Sequence, residues 1–214
     1  MAIENPIQLV ILCSPSGAGK TTLARLVLAD PQLGGMHFSV SHTTRAPRRG
    51  EVEGRDYYFV DEKAFRAILD RGGFAEHASV HGKLYGTSVA EIDRISALAG
   101  ARSILFDIDV QGARQLVKRY PDALTVFILP PSIQELRSRL SARATDSPEA
   151  VALRMRNAAE EIRSYREFDY LVLNDVLELA RAELRTVIAA HRIGRTFRAH
   201  IAEALLAALE GGRT

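Results

Sequence analysis

Two consecutive segments determine the fold of this chain: Ile7-Gln-Leu-Val-Ile-Leu-Cys13 and Ser14-Pro-Ser-Gly-Ala-Gly-Lys-Thr-Thr22. The first seven residues are apolar apart from one glutamine, which is typical of a buried strand. The next nine match the phosphate-binding pattern G-x-x-x-x-G-K-[ST], except that Ser14 occupies the first glycine position. A helix is expected from about Lys20 to near Asp30. This order of strand, glycine-rich loop and helix predicts a nucleotide-binding loop.

The residue types of this loop suit a bound anion. Gly17 and Gly19 allow consecutive backbone N–H groups to turn toward one point, where the helix N-terminus adds positive potential. Lys20 can reach the terminal phosphates of a nucleotide, and the Thr21 hydroxyl can ligate Mg²⁺. A Rossmann dinucleotide loop is excluded, because no third glycine follows at the required spacing. Serine at position 14 is expected to weaken binding without abolishing it.

Composition predicts one large globular domain carrying small insertions. The chain has 214 residues, 47% apolar and 25% charged, with a net charge of +2, which is too small to indicate a nucleic-acid partner. Its single cysteine, Cys13, lies in an apolar run, so we expect a buried thiol and no disulfide or zinc site. The apolar stretch near the start is too short for a membrane span and follows Glu4 in place of a basic segment. We therefore expect a cytoplasmic protein without a membrane partner.

Further apolar strands are predicted at 104–108, 124–129 and 170–173, and each is followed by a helix. The predicted helices span about 20–30, 61–72, 88–100, 113–120, a segment from 132, 147–166, and the region after 173, with a break at Gly194. Apolar strands alternating with helices indicate an α/β fold, in which helices cover both faces of a parallel sheet. Two segments differ from the core in composition: 39–86 is rich in Gly, Pro, Arg and Tyr, and 132–166 is a pair of Arg-rich helices. Both are interpreted as insertions on that core.

An arginine cluster marks the first insertion. Four arginines fall between positions 45 and 55, and tyrosines follow at 57 and 58. Guanidinium groups are planar donors that suit a phosphate. Composition alone leaves a solvated basic loop as an open alternative.

Several motifs together resemble guanylate kinase, a P-loop nucleoside monophosphate kinase. They are the loop at 14–22, the pattern S-x-T-T-R-x-P-R-x-G-E-x-x-G-x-D-Y at 41–57, Phe74-Ala-Glu-His-Ala78, Tyr85-Gly-Thr87, Asp107-Ile-Asp-Val-Gln-Gly112, Pro130-Pro-Ser132, Leu136-x-x-Arg-Leu140 with Arg143, Arg154-Met155 and Val172-Leu-Asn-Asp175. The resemblance reaches to about His191, so the tail from 194 to 214 receives no function. The chain departs from the family at Ser14 and at Ala144, where glycine is usual.

The resemblance implies Mg²⁺-dependent phosphorylation of GMP by ATP, and it assigns the site. ATP would be bound by Ser14, Pro15, Ser16, Gly17, Ala18, Gly19, Lys20, Thr21, Thr22, Arg139, Arg143 and Asn174. The GMP phosphate would be held by Arg45, Arg48, Tyr57 and Tyr85, and guanine would be surrounded by Ser41, Glu76, Thr87 and Asp109. Thr21 and Asp107 would lie at the metal, and Lys20, Arg48, Arg139 and Arg154 would act in catalysis. The implied organisation is a core (1–38, with the P-loop, and 87–131), a GMP-binding insertion (39–86), a lid (132–158), and core and C-terminal helices (159–214).

The hydrogen-bond donors of guanine suit a carboxylate at the position of Glu76. Guanine presents two adjacent donors, N1–H and the N2 amine, and one carboxylate can accept from both. Adenine presents an acceptor at N1 instead. A site that hydrogen-bonds a donor of the correct substrate rejects an analogue lacking that donor by a factor of about 10⁴–10⁵.

Two other functions remain open at this point. A guanylate-kinase-like interaction module would be expected to have a damaged P-loop, whereas Lys20 and Thr21 are intact. A kinase acting on a ribose bisphosphate would not need Glu76 and Thr87 as a base pocket. Nucleic-acid binding has the least support, because no extended surface of aromatic and basic residues is visible.

Overall fold

Parallel strands form the main sheet, as the sequence predicts. The computed structural model describes residues 6–80, 82–141 and 148–211. Along the chain its elements are β1 (Gln8–Cys13), α1 (Lys20–Leu28), β2 (Met36–Phe38), β3 (His42–Thr43), β4 (Tyr58–Phe59), α2 (Glu62–Asp70), β5 (Phe74–Val80), β6 (Lys83–Ser88), α3 (Val89–Ser96), β7 (Ser103–Asp107), α4 (Val110–Arg119), β8 (Leu124–Leu129), α5 (Ile133–Ser141), α6 (Pro148–Arg163), β9 (Tyr170–Leu173), α7 (Leu177–Arg192) and α8 (Arg195–Gly211). The main sheet has the order β2-β7-β1-β8-β9, and the α/β prediction is confirmed.

Helices cover both faces of this sheet because its strands are apolar on both sides. In β1, Val10 and Leu12 pack with α1 and α7, whereas Leu9 and Ile11 pack with α3 and α4. Cys13 is fully buried among the second group, as expected, and burial raises the pKa of its thiol to about 12. Alternation along one strand thus supplies two hydrophobic cores.

A second sheet, of order β4-β3-β6-β5, lies within the segment from 42 to 88. The sequence predicted one helix in this region, α2, and the structure places it after Asp61, which caps Ala64 N–H at 2.6 Å. The second sheet was not predicted from the sequence. Two of its strands have only two residues, and its β5–β6 hairpin buries polar side chains that mask the alternating pattern.

Several predicted helix boundaries shift in the structure. The helix expected to reach Gly100 ends at Ser96, and the chain passes through a turn before Gly100 at φ +80°. The helix expected near residue 113 starts at Val110, because Asp109 accepts the Gly112 N–H at 2.8 Å and caps it. The helix expected to reach 166 ends at Arg163 and continues as a 3₁₀ turn. The break at Gly194 is confirmed, and the predicted cap at 147 lies outside the described residues.

Among the described residues, no helix has the length and apolar character needed to cross a membrane.

Candidate active site

A cleft of about 820 Å³ lies between the carboxyl ends of β2 and β7, the loop after β1, and the second sheet. Such a position, outside the carboxyl ends of parallel strands, is where open α/β sheets bind ligands. Among the predicted site residues, those that line this cleft are Lys20, Thr21, Ser41, Arg48, Tyr57, Glu76, Tyr85, Asp107 and Asp109. The structure therefore places P-loop residues and predicted acceptor-binding residues around one space.

The P-loop turns between β1 and α1 through two glycines in left-handed geometry. Gly17 has φ +88° and Gly19 has φ +91°, a region that side-chain-bearing residues rarely adopt. A Cβ on Gly19 would lie 2.3 Å from Nδ2 of Asn174. The same Nδ2 donates to the Ala18 carbonyl at 2.7 Å. Both glycines are therefore required, and Asn174 holds the loop from outside the cleft.

Other predicted P-loop residues make contacts within or near the loop. The Ser14 hydroxyl donates to the Pro15 carbonyl at 3.0 Å. Ser16 N–H donates to the Glu161 carboxylate on α6 at 3.1 Å. Thr22 N–H donates to the Gly19 carbonyl at 3.1 Å as the first turn of α1.

Lys20, Thr21 and Asp107 form a charged group at the end of β7. Lys20 Nζ lies 2.6 Å from Asp107 Oδ1 and donates to the Ile108 carbonyl at 2.7 Å. Thr21 Oγ1 donates to Asp107 Oδ2 at 3.1 Å. Burial alone would lower the pKa of Lys20, but the charge and hydrogen bond of Asp107, together with the charges of Cys13 and Asp109, outweigh that effect and raise it. The lysine therefore stays positively charged.

Glu76 lies on β5 as a buried carboxylate, 3% exposed. Its Oε1 accepts the Thr87 N–H at 2.8 Å, and the Thr87 hydroxyl lies 3.0 Å from the Ser41 hydroxyl. Burial raises the pKa of Glu76, and Asp109 adds to this, while the hydrogen bonds from Thr87 act in the opposite direction. Four predicted guanine-side residues are thus adjacent, and Asp109 also caps α4.

The predicted GMP-phosphate residues form a second group, which Glu51 organises. Glu51 accepts two hydrogen bonds from Arg45, at 2.8 and 2.9 Å, and one from the Arg48 N–H, at 2.6 Å. This hydrogen-bonded carboxylate raises the pKa of Arg45. The Arg45 guanidinium lies 5.3 Å from the Tyr57 ring centroid, and Tyr57 is 6.0 Å from the Tyr85 ring. Glu51 lies within the motif at 41–57, and no role was predicted for it from the sequence.

The predicted lid arginines lie apart from the cleft. Arg139 pairs with Glu135 at 2.7 Å, and its Nη1 lies 3.8 Å from where a Cβ on Gly19 would be. Arg154 Nη1 is 3.5 Å from the Leu140 carbonyl. Arg143 and Ala144 lie outside the described residues. Leu136 and Leu140 of α5 pack against Ala158 of α6, so the two helices form a unit of their own.

Comparisons with known proteins agree with this geometry. The guanylate kinase family model matches residues 7–191. The chain is 48% identical over 193 residues to a guanylate kinase of Geobacter metallireducens, covering 89% of this chain and 91% of that one. It is 49% identical over 189 residues to a guanylate kinase of Aromatoleum aromaticum, covering 88% and 90%.

A solved structure shares the fold. The crystal structure of guanylate kinase from Anaplasma phagocytophilum superposes with a TM-score of 0.71 at 30% identity, covering 91% of this chain and 90% of that one. The family match, the identities over most of the chain and the shared fold lead to one conclusion. This chain belongs to the guanylate kinase family.

Proposed function

We propose that this protein transfers the γ-phosphate of ATP to GMP, giving ADP and GDP, and so acts in purine nucleotide metabolism. One observation carries the proposal. A single cleft joins the P-loop lysine to a buried carboxylate suited to guanine, with Lys20 and Glu76 both on its wall. Family membership supports the reaction. A cytoplasmic location belongs to the same proposal, because the unpaired thiol of Cys13 is typical of a reducing compartment.

Charge is the main barrier to this reaction. The GMP phosphate is already an anionic nucleophile and needs no general base, but it must approach a second anion. In the proposal Lys20 attracts the transferring phosphoryl group, while Arg45 and Arg48 hold the GMP phosphate. The bond to the acceptor oxygen forms as the bond to the ADP oxygen breaks, so no proton has to move. Arg139 and Arg154 are proposed to add positive charge on the ATP side.

Thr21 and Asp107 fit a magnesium ion. Their hydroxyl and carboxylate oxygens are hydrogen-bonded at 3.1 Å on the cleft wall, and both are hard ligands. Mg²⁺ usually takes one or two protein oxygens together with phosphate oxygens and water. When bound, the ion would neutralise phosphate charge, and Lys20 would exchange its contact with Asp107 for one with a nucleotide oxygen.

Guanine selection is proposed to reside in Glu76. Its Oε1 already accepts the Thr87 N–H, and a carboxylate has lone pairs left for the N1–H and N2 donors of guanine. Adenine would place its N1 acceptor against the same carboxylate. Ser41, Thr87 and Asp109 complete the proposed pocket.

An acceptor panel tests the proposal. ADP release would be measured with GMP, AMP, CMP, UMP and ribose 1,5-bisphosphate, each with MgATP. We expect GMP to exceed every other acceptor in kcat/KM by at least about 10³. Preference for ribose 1,5-bisphosphate, or no turnover with any acceptor in a folded protein that binds ATP, would overturn the proposal.

A further inference from the structure

Gly112, in the first turn of α4, lies directly against the carboxylate of Glu76. A Cβ built on Gly112 would be 2.6 Å from Oε2 and 3.2 Å from Cδ of Glu76. Gly112 is not among the glycines with positive φ, so its backbone conformation suits any residue. Conformation therefore does not require glycine here. The space that a side chain would take is the space that the Glu76 carboxylate occupies.

Gln115, one turn later in α4, holds the strand next to Glu76. Its Oε1 accepts the His77 N–H at 3.1 Å, and its Nε2 donates to the His77 carbonyl at 2.7 Å. One side-chain amide thus satisfies both polar groups of the residue that follows Glu76. The same Nε2 lies 3.2 Å from the Gln111 carbonyl, which fixes the amide on the helix.

We infer that Gly112 and Gln115 are positioning residues for guanine selection, through which α4 sets the location of the Glu76 carboxylate. Gly112 leaves the room that the carboxylate needs, and Gln115 fixes the backbone of β5 beside it. This inference rests on the proposed role of Glu76 in reading guanine. It adds that discrimination between bases depends on a helix outside the second sheet.

The substitution Gly112→Ala is expected to displace the Glu76 carboxylate, while Ile108 Cδ1, 3.3 Å from the built Cβ, has to give by only a few tenths of an ångström. Alanine is the better helix former, and the atom in conflict is the free end of a long side chain. We expect KM for GMP to rise about 10–100-fold, the loss of a charge-assisted hydrogen bond, with KM for ATP unchanged. The ratio of kcat/KM for GMP to kcat/KM for AMP should decrease. A general loss of stability would lower both values together and leave this ratio unchanged.

A double-mutant cycle with Glu76→Ala separates this inference from the function on which it rests. Glu76→Ala removes the two carboxylate atoms nearest to a Cβ on Gly112 and leaves the milder 3.3 Å contact with Ile108, so adding Gly112→Ala to it should change KM for GMP less than twofold. If Glu76→Ala narrows the GMP preference but Gly112→Ala does not, the positioning role is wrong and the guanine-reading role stands. If Glu76→Ala leaves the preference unchanged, both fail. An equal effect of Gly112→Ala in both backgrounds also overturns the inference.

Gln115→Glu provides a second arm that does not depend on packing at Gly112. The new carboxylate cannot donate to the His77 carbonyl and would face it with like partial charge. We expect a rise in KM for GMP of about 5–50-fold with normal KM for ATP. Gln111→Glu is the matched control, because it adds the same charge at an exposed position on the same helix. Similar GMP kinetics in the two variants would overturn the role of Gln115.

Discussion

At the scale of single residues, the buried carboxylate of Glu76 would link folding to the proposed recognition of guanine. Burial raises its pKa above the ordinary glutamate value, so protonation in the folded protein occurs at a higher pH than in the unfolded chain. The free energy of unfolding therefore decreases as the pH rises from the ordinary glutamate pKa through the raised one, because the folded protein must then hold a buried charge at Glu76. The expected affinity for GMP changes in the opposite direction and increases with pH, since only the ionised carboxylate could accept hydrogen bonds from both guanine donors.

This gives a pH prediction for GMP binding. As the pH falls from about 8 toward about 5, still above the ordinary glutamate pKa of about 4.3, the affinity for GMP should decrease in the wild type. KM for GMP and for ATP would be measured across this range. Glu76→Gln is the control, because it retains the titration of the GMP phosphate and lacks that of the carboxyl. Identical pH profiles in the two proteins would contradict the ionised-carboxylate role.

At the scale of elements, the end of β9 supports the P-loop between β1 and α1. Asn174 follows β9 and is 5% exposed. Its amide donates to the Ala18 carbonyl and lies where a Cβ on Gly19 would be. Two segments separated by 156 residues in sequence thus shape the P-loop turn.

Asn174→Ala should therefore weaken ATP binding specifically. Loss of one buried hydrogen bond of about 1 kcal/mol corresponds to a rise in KM for ATP of about fivefold, with a similar loss in the free energy of unfolding. KM for GMP should stay within twofold. Asn157→Ala, at an exposed position on α6, is the matched control for amide removal. A GMP defect as large as the ATP defect would show that Asn174 does not act through the P-loop.

At the scale of the whole molecule, two arginine-bearing segments flank the P-loop core. The segment around Arg45 and Arg48 lies on the second sheet side, and the α5–α6 unit carries Arg139 and Arg154. Two bound anions would attract both segments and exclude water from the transferring group. The domain boundaries expected from the sequence, 39–86 and 132–158, define the parts that would move.

Closure of this kind should be visible in solution scattering. The radius of gyration with ATP and GMP together, or with a bisubstrate analogue, is expected to be smaller than that of the free protein. ATP alone should give an intermediate value. A radius that stays constant across all these states would indicate a preformed site.

Much of this architecture could be predicted because local sequence determines it. The strands β1, β7, β8 and β9 are apolar runs, and the P-loop is a contiguous motif. The three-residue β2 gives no periodic signal, and the second sheet buries polar residues on its inner side. Contacts such as Glu76 with Gly112 join residues far apart in the chain. The pairing of Glu51 with Arg45 requires the turn at Gly50, whose φ is +89°. Spacing alone predicts neither contact.

The proposed reading of guanine by Glu76 is tested by comparing kcat/KM for GMP and AMP in the wild type and in Glu76→Gln. The amide replaces one acceptor with a donor that faces the donors of guanine. We predict that kcat/KM for GMP falls about 10–10³-fold, that KM for ATP stays near normal, and that the preference for GMP over AMP narrows. An unchanged ratio of GMP to AMP would contradict the account, because Glu76 would then have no part in reading the base.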